Sequence, residues 1–257
     1  MRQSPTRSRA PPRKRGPFFN IPGVIVAMLA ILALVHGVRQ LLSDDDDAWW
    51  TLALAFIPAR YGVALEQLPG GWPSALYSPL THMAVHADVT HLGINSAWLL
   101  VFGAIVARRL GNWRTTVFTL ATGVAGAIGF GLLHWGALLP MVGASGAVSG
   151  LMGGAIRLIH AVLRVGAGRT LAAAANHVPL ASVAETLRDR QVLIIAGVTV
   201  VTNLALGLTG SLLTPGSGGI AWEAHLAGFA AGLLGFGLID PGPRPLPEPA
   251  EISLTMS

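Results

Sequence analysis

GASGAVSGLMGGAIRLIHAVLRV (Gly143–Val165) decides how the chain is read. It is almost wholly apolar and about as long as the roughly 20 residues that a helix needs to cross a bilayer. Glycines recur at 146, 150, 153 and 154, a spacing of three and four that lets helix backbones approach closely. A serine between glycines opens it. A second such stretch, AHLAGFAAG (Ala224–Gly232), places a histidine at its start and glycines at 228, 232 and 235 on the following turns. His225, Gly228 and Gly232 fall on one helical stripe.

Composition agrees with membrane spans. Of 257 residues, 52% are hydrophobic and only 11% charged, against about 25% charged in a soluble domain. Mean hydropathy is +0.60. There is no cysteine, so thiolate nucleophiles, thiolate metal sites and disulfides are excluded. The pI near 10.9 reflects arginines gathered in a few loops and in the N-terminal segment, a positive-inside pattern rather than a nucleic-acid surface.

Six apolar stretches are expected to span, at 21–42, 89–108, 115–135, 145–165, 191–212 and 221–239. The fold class is therefore all-α, a polytopic membrane bundle of six transmembrane helices. Residues 1–17 read as a basic, disordered cytoplasmic tail, carrying Arg2, Arg7, Arg9, Arg13, Lys14 and Arg15. Residues 18–240 read as the membrane domain and 241–257 as a proline-rich cytoplasmic tail, the unstructured run being expected from Asp240. The first stretch is too long for a signal-peptide core and ends at no convincing cleavage site, so it reads as a retained helix.

Arginines test this count. With a cytoplasmic N-terminus, Arg108, Arg109 and Arg114 fall inside, as do Arg164, Arg169, Arg188 and Arg190. The outer loops hold Arg60 against Asp44, Asp45, Asp46 and Asp47, and otherwise no arginine. Five or seven spans would break the agreement. The expected location is multi-pass in the cell (inner) membrane, both termini cytoplasmic. The first outer loop, 43–85, carries Trp49, Trp50, Phe56, Ile57, Tyr61, Trp72 and Tyr77, and such aromatics suit a segment half-sunk in the outer leaflet.

In that topology the second, fourth and sixth spans all run inward. His86, His91 and Asn95, then Ser145, then His225 are thereby delivered to one depth. A helix N-terminus points backbone N–H groups at whatever sits there. Ser145 is then a candidate nucleophile, and Gly143 and Gly146 let the chain turn tightly around it. His225 is a base of suitable pKa. His91 and Asn95, four apart on one helix face, are candidate oxyanion donors. Glu223, two residues before His225, points away from it, and Asp88 belongs to a loop, so the expectation is a Ser–His dyad with no acidic third member. Taken singly, Ser145 reads as a packing residue and His225 as an interfacial histidine; three coincidences of depth weigh against that. His36, His134, His160 and His177 show no partner pattern and read as incidental.

Together, HADVTHLGIN (His86–Asn95), GASG (Gly143–Gly146) and AHLAGFAAG (Ala224–Gly232) resemble the rhomboid intramembrane serine proteases. That family pairs H-x4-H-x3-N in the second helix with G-x-S-G opening the fourth and A-H-x-x-G-x-x-x-G in the sixth. The likeness covers roughly residues 18–240. It implies Ser145 as nucleophile and His225 as base, with His91, Asn95 and the Ser145 backbone N–H as oxyanion site and His86 bracing the first outer loop. It also implies membrane-protein substrates, single-span or polytopic, and no cofactor. Three positions depart from the usual pattern: Tyr77-Ser78 where many rhomboids have Trp-Arg, Ala107 where many have Glu, and Ser149 where many have a Tyr stacked on the histidine. These touch the bracing of the loop and the orientation of His225. Two alternatives stand beside the protease: a non-catalytic rhomboid-like binder of membrane helices, and a metal-dependent protein built on His82 and His86, which are four apart.

Overall fold

The computed structural model describes residues 21–62, 66–165, 176–213 and 219–245. The basic tail expected at 1–17, Arg169 and most of the proline-rich C-terminal tail lie outside them. Nine helices are found among the described residues: α1 (Gly23–Arg39), α2 (Asp44–Leu54), α3 (Gly71–Thr81), α4 (Val89–Leu110), α5 (Asn112–Leu133), α6 (Ser145–Val165), α7 (Val183–Arg188), α8 (Arg190–Leu213) and α9 (Trp222–Ile239). Among those residues there is no strand, only an isolated bridge between Phe56 and Met141. The chain is an all-α integral membrane protein.

Six of these helices fall on the six expected apolar stretches. By length and composition α4, α5, the Ser145–Arg164 part of α6, and α9 are long and apolar enough to cross a membrane; α1 and the Arg190–Ala205 part of α8 are apolar but shorter. α1 stops earlier than its hydropathy suggests. At its end Arg39 is clamped by Asp47 (2.6 and 2.9 Å), and Ser43 restarts the chain as α2 by capping the Asp46 N–H. Four aspartates in the first turn of α2 suit the positive end of its dipole. Asp88 caps α4 in the same way through the His91 N–H, at 2.8 Å. A π-helical turn at Leu99–Gly103 interrupts α4, and Gly111, at φ 74°, ends it.

Among its described residues the first outer loop holds two helices, α2 and α3, and two 3-10 turns (Pro58–Tyr61 and His82–Ala84). Trp49, Trp50 and Trp72 are exposed as an interfacial segment requires, whereas Phe56 and Ile57 turn inward and are buried. The fully buried Arg60 holds the segment together, donating to the carbonyls of Pro69 (2.8 Å) and Leu52 (2.5 Å). Arg60 thus braces the loop from within.

α6 is the central helix, with 78% of its span buried inside the protein against 28% for α4. α9 lies along it through glycines. The Gly146 carbonyl lies against Gly228 and the Gly150 carbonyl against Gly232, closer than any Cβ would allow. Gly126 of α5 closes on the Ala224 carbonyl from the other side. Below this contact Ile25, Leu99, Val106, Leu151, Leu158 and Phe236 form the apolar core. At the end of the bundle away from Ser145, buried Arg109 binds Asp240 through Nε and Nη2 (2.6 and 2.8 Å). Asp240 and Arg244, expected in a free tail, are therefore anchored; the Arg244 N–H also donates to Asn176, at 2.7 Å.

Candidate active site

Ser145 is the first residue of α6. Ahead of it Gly143 adopts φ 117°, a conformation that favours glycine, and its Cα leaves no room for a side chain. A Cβ there would lie 2.7 Å from Cε1 and Nε2 of His91. The His91 ring thus rests on the turn that carries the serine.

That turn is pinned from the segment before α4. The Gly143 N–H donates to the His82 carbonyl (2.9 Å) and the Ala144 N–H to His86 Nε2 (3.5 Å). The Arg39 guanidinium holds the His86 carbonyl at 2.6 Å. His82 and His86 are both buried, and burial pushes each imidazole down to about 4; for His86 the neighbouring His91 adds to the effect. Neutral His86 is what an acceptor for Ala144 N–H requires. His86 thus braces the serine turn.

His225 Nε2 lies 2.7 Å from Ser145 Oγ, a full hydrogen bond between helices 80 residues apart in sequence. Both residues are half-buried. The other ring nitrogen, Nδ1, lies 2.6 Å from Asn203 Oδ1 on α8. Asn203 was not singled out from the sequence. The available signal was a carboxamide inside an apolar stretch, where polar residues are costly and commonly functional.

Asn95 is buried and donates Nδ2 to the His91 carbonyl (3.0 Å), one turn back on α4. Its amide and the His91 ring both belong to the helix whose start faces the Ser145 turn. Glu223 points away from His225 as expected and meets His134 Nε2 at 2.8 Å. His134 is therefore not incidental. Nor are His160, 3.2 Å from Asp189, and His177, whose Nδ1 meets the Arg244 carbonyl. No cluster of three His, Cys, Asp or Glu suited to a metal ion occurs among the described residues. His82 Nδ1 is committed to the Ser78 carbonyl (2.9 Å).

A serine hydroxyl bonded to a neutral imidazole, at a helix N-terminus, can lose its proton as it attacks a carbonyl. The amides of the first helical turn lack intrahelical acceptors and suit an oxyanion. The family model described as Rhomboid domain matches residues 73–240, well over half the chain and all of this constellation. The chain belongs to the rhomboid family. No curated protein matches the sequence closely enough to count as a relative. Rhomboids are in general intramembrane serine proteases acting on membrane-protein substrates, and some members are inactive.

Proposed function

We propose that this rhomboid is an intramembrane serine endopeptidase that cleaves transmembrane segments of other membrane proteins with a Ser145–His225 dyad. The observation that carries the reading is the 2.7 Å contact between Oγ and Nε2, which neither helix packing nor solubility requires.

Ser145 Oγ attacks the scissile carbonyl carbon while its proton passes to His225 Nε2. The tetrahedral oxyanion is held by the Ser145 backbone N–H, the His91 ring and the Asn95 amide. The imidazolium protonates the leaving amine, the C–N bond breaks, and an acyl-enzyme remains on Ser145. Water, losing its proton to the same nitrogen, attacks the ester and releases the acid and the serine. Each lost oxyanion donor is expected to cost ~10²–10³ in rate. Gly143 provides the turn that presents the serine. No metal or organic cofactor enters any step.

Substrates are single-span or polytopic membrane proteins whose helix unwinds locally near the outer surface, because a helical peptide bond is shielded by its own hydrogen bonds. On this reading residues 18–240 form a six-span domain in the cell membrane; the arginine distribution supports cytoplasmic flanking tails and a Ser145 near the outer face. The test is cleavage of a single-span reporter in proteoliposomes. The wild type should cleave, with or without a chelator; Ser145→Ala and His225→Ala should not, while still eluting and melting as folded protein. Retained binding with no wild-type cleavage would instead indicate a helix-binding rhomboid.

A further inference from the structure

The amide of Asn203 has only one consistent orientation. Its Nδ2 lies 2.9 Å from the Thr199 carbonyl, one turn earlier on α8, and a carbonyl can only accept. The NH2 group therefore faces Thr199, and Oδ1 faces His225. Oδ1 can only accept as well, so His225 Nδ1, 2.6 Å away, must carry the hydrogen. In the neutral ring Nε2 is then bare, and the hydrogen of the 2.7 Å contact belongs to Ser145 Oγ. A single directed chain runs Ser145 Oγ–H to His225 Nε2, His225 Nδ1–H to Asn203 Oδ1, and Asn203 Nδ2–H to the Thr199 carbonyl.

We propose that Asn203 is a positioning residue for this dyad, fixing the tautomer and ring plane of His225 from α8. This rests on the protease reading of Ser145 and His225. The position usually given to a stacking tyrosine holds Ser149, so orientation of the imidazole falls to the amide. The α8–α9 contact is built to hold it there. Gly207, four residues on from Asn203 and on the same face, sits so close to Trp222 that a Cβ would lie 2.1 Å from its Cδ1. Trp222 is in turn three residues before His225. The two contacts, 207 on 222 and 203 on 225, set the register of α8 against α9. A neutral amide does this without burying a second charge in a low-dielectric site, a burden that a carboxylate would bring. The amide also stabilises the imidazolium formed after proton transfer, because Oδ1 remains an acceptor for Nδ1–H throughout.

The experiment compares wild type, Ser145→Ala, Asn203→Leu and Asn203→Asp in proteoliposomes with a single-span reporter, measuring kcat and KM separately. The rate at which a fluorophosphonate labels Ser145 is measured alongside. Asn203→Leu, similar in volume but without an acceptor, should lower kcat about 10²-fold, within the range for a misplaced general base, and leave KM within about twofold. Labelling should slow in parallel. Asn203→Asp, which restores an oxygen at the same place, should recover at least a tenth of wild-type kcat. Should the leucine variant fail to fold, Asn203→Ala with the same rescue by aspartate takes its place. Wild-type kcat in Asn203→Leu, or no recovery in Asn203→Asp, overturns the positioning role while leaving the dyad intact. A wild type that neither cleaves nor labels at Ser145 removes the dyad itself, and this inference with it.

Discussion

Gly228→Ala puts the helix packing and the chemistry to one test. Gly228 lies one turn after His225, and the carbonyl it touches belongs to Gly146, the neighbour of Ser145. An added Cβ would stand 2.1 Å from that oxygen and 2.9 Å from its carbon, where ordinary contact begins at 3.4 Å. Both partners are backbone, so no side chain can swing aside. α9 must back away from α6 by about 1.3 Å, the shortfall between 2.1 and 3.4 Å. Applied to the 2.7 Å Ser145–His225 bond, a shift of that size takes Oγ and Nε2 out of hydrogen-bond range. Overpacking of this kind costs roughly 1–3 kcal/mol of stability, whereas a misplacement near 1 Å in a catalytic pair costs about 10² in rate. Activity should therefore collapse in a protein that still folds. Gly235→Ala is the control, since its Cβ meets nothing within 4 Å. The assay is reporter cleavage in proteoliposomes, with melting temperature and Ser145 labelling measured on the same preparations. A Gly228→Ala variant that keeps more than half of wild-type cleavage would refute the reasoning.

Asn95→Ala should reduce kcat by roughly 10²-fold, the low end for an oxyanion donor because the backbone amides and His91 remain; an unchanged kcat would remove Asn95 from the site. Acid should destabilise the protein. His82 and His86 are held near 4 in the folded state against about 6.5 when unfolded. Their contribution is therefore complete above pH 6.5 and is lost as pH falls toward 4, on the order of 3 kcal/mol apiece. Burial is the main opposition to protonating His86, and the Arg39 guanidinium adds to it. The melting temperature should fall over that window, and His86→Gln, which keeps an acceptor for Ala144 but does not titrate, should flatten part of the fall; a flat profile in the wild type would contradict this. Arg109→Ala strands the buried Asp240 carboxylate and should cost about 3–5 kcal/mol, partly recovered in Arg109→Met with Asp240→Leu. A single-variant loss below about 1 kcal/mol in a thermal melt would show that the pair is better solvated than its burial implies.

The pairing of Ser145 with His225 was legible because each half carries its own local signature, glycines around Ser145 and a glycine stripe in phase with His225. Asn203 was not legible. Its partner lies 22 residues on, across a turn, and the register of α8 on α9 is set by a Gly207–Trp222 contact that no periodicity announces. The helices of the first outer loop were not read from its aromatics, although Ser43 followed by four aspartates already spelled a capped helix start. Arg60 could not be seen as a brace, because its value lies in carbonyls of Leu52 and Pro69 that only the fold brings together. His134 and Glu223 looked unrelated at 89 residues apart and are neighbours at 2.8 Å.

The most direct measurement is peptide mapping by mass spectrometry after fluorophosphonate treatment of the folded protein in bilayers, run beside reporter cleavage. The account predicts one adduct, on Ser145, absent from His225→Ala, with cleavage lost in the same variants. Cleavage by Ser145→Ala at the wild-type rate would contradict it.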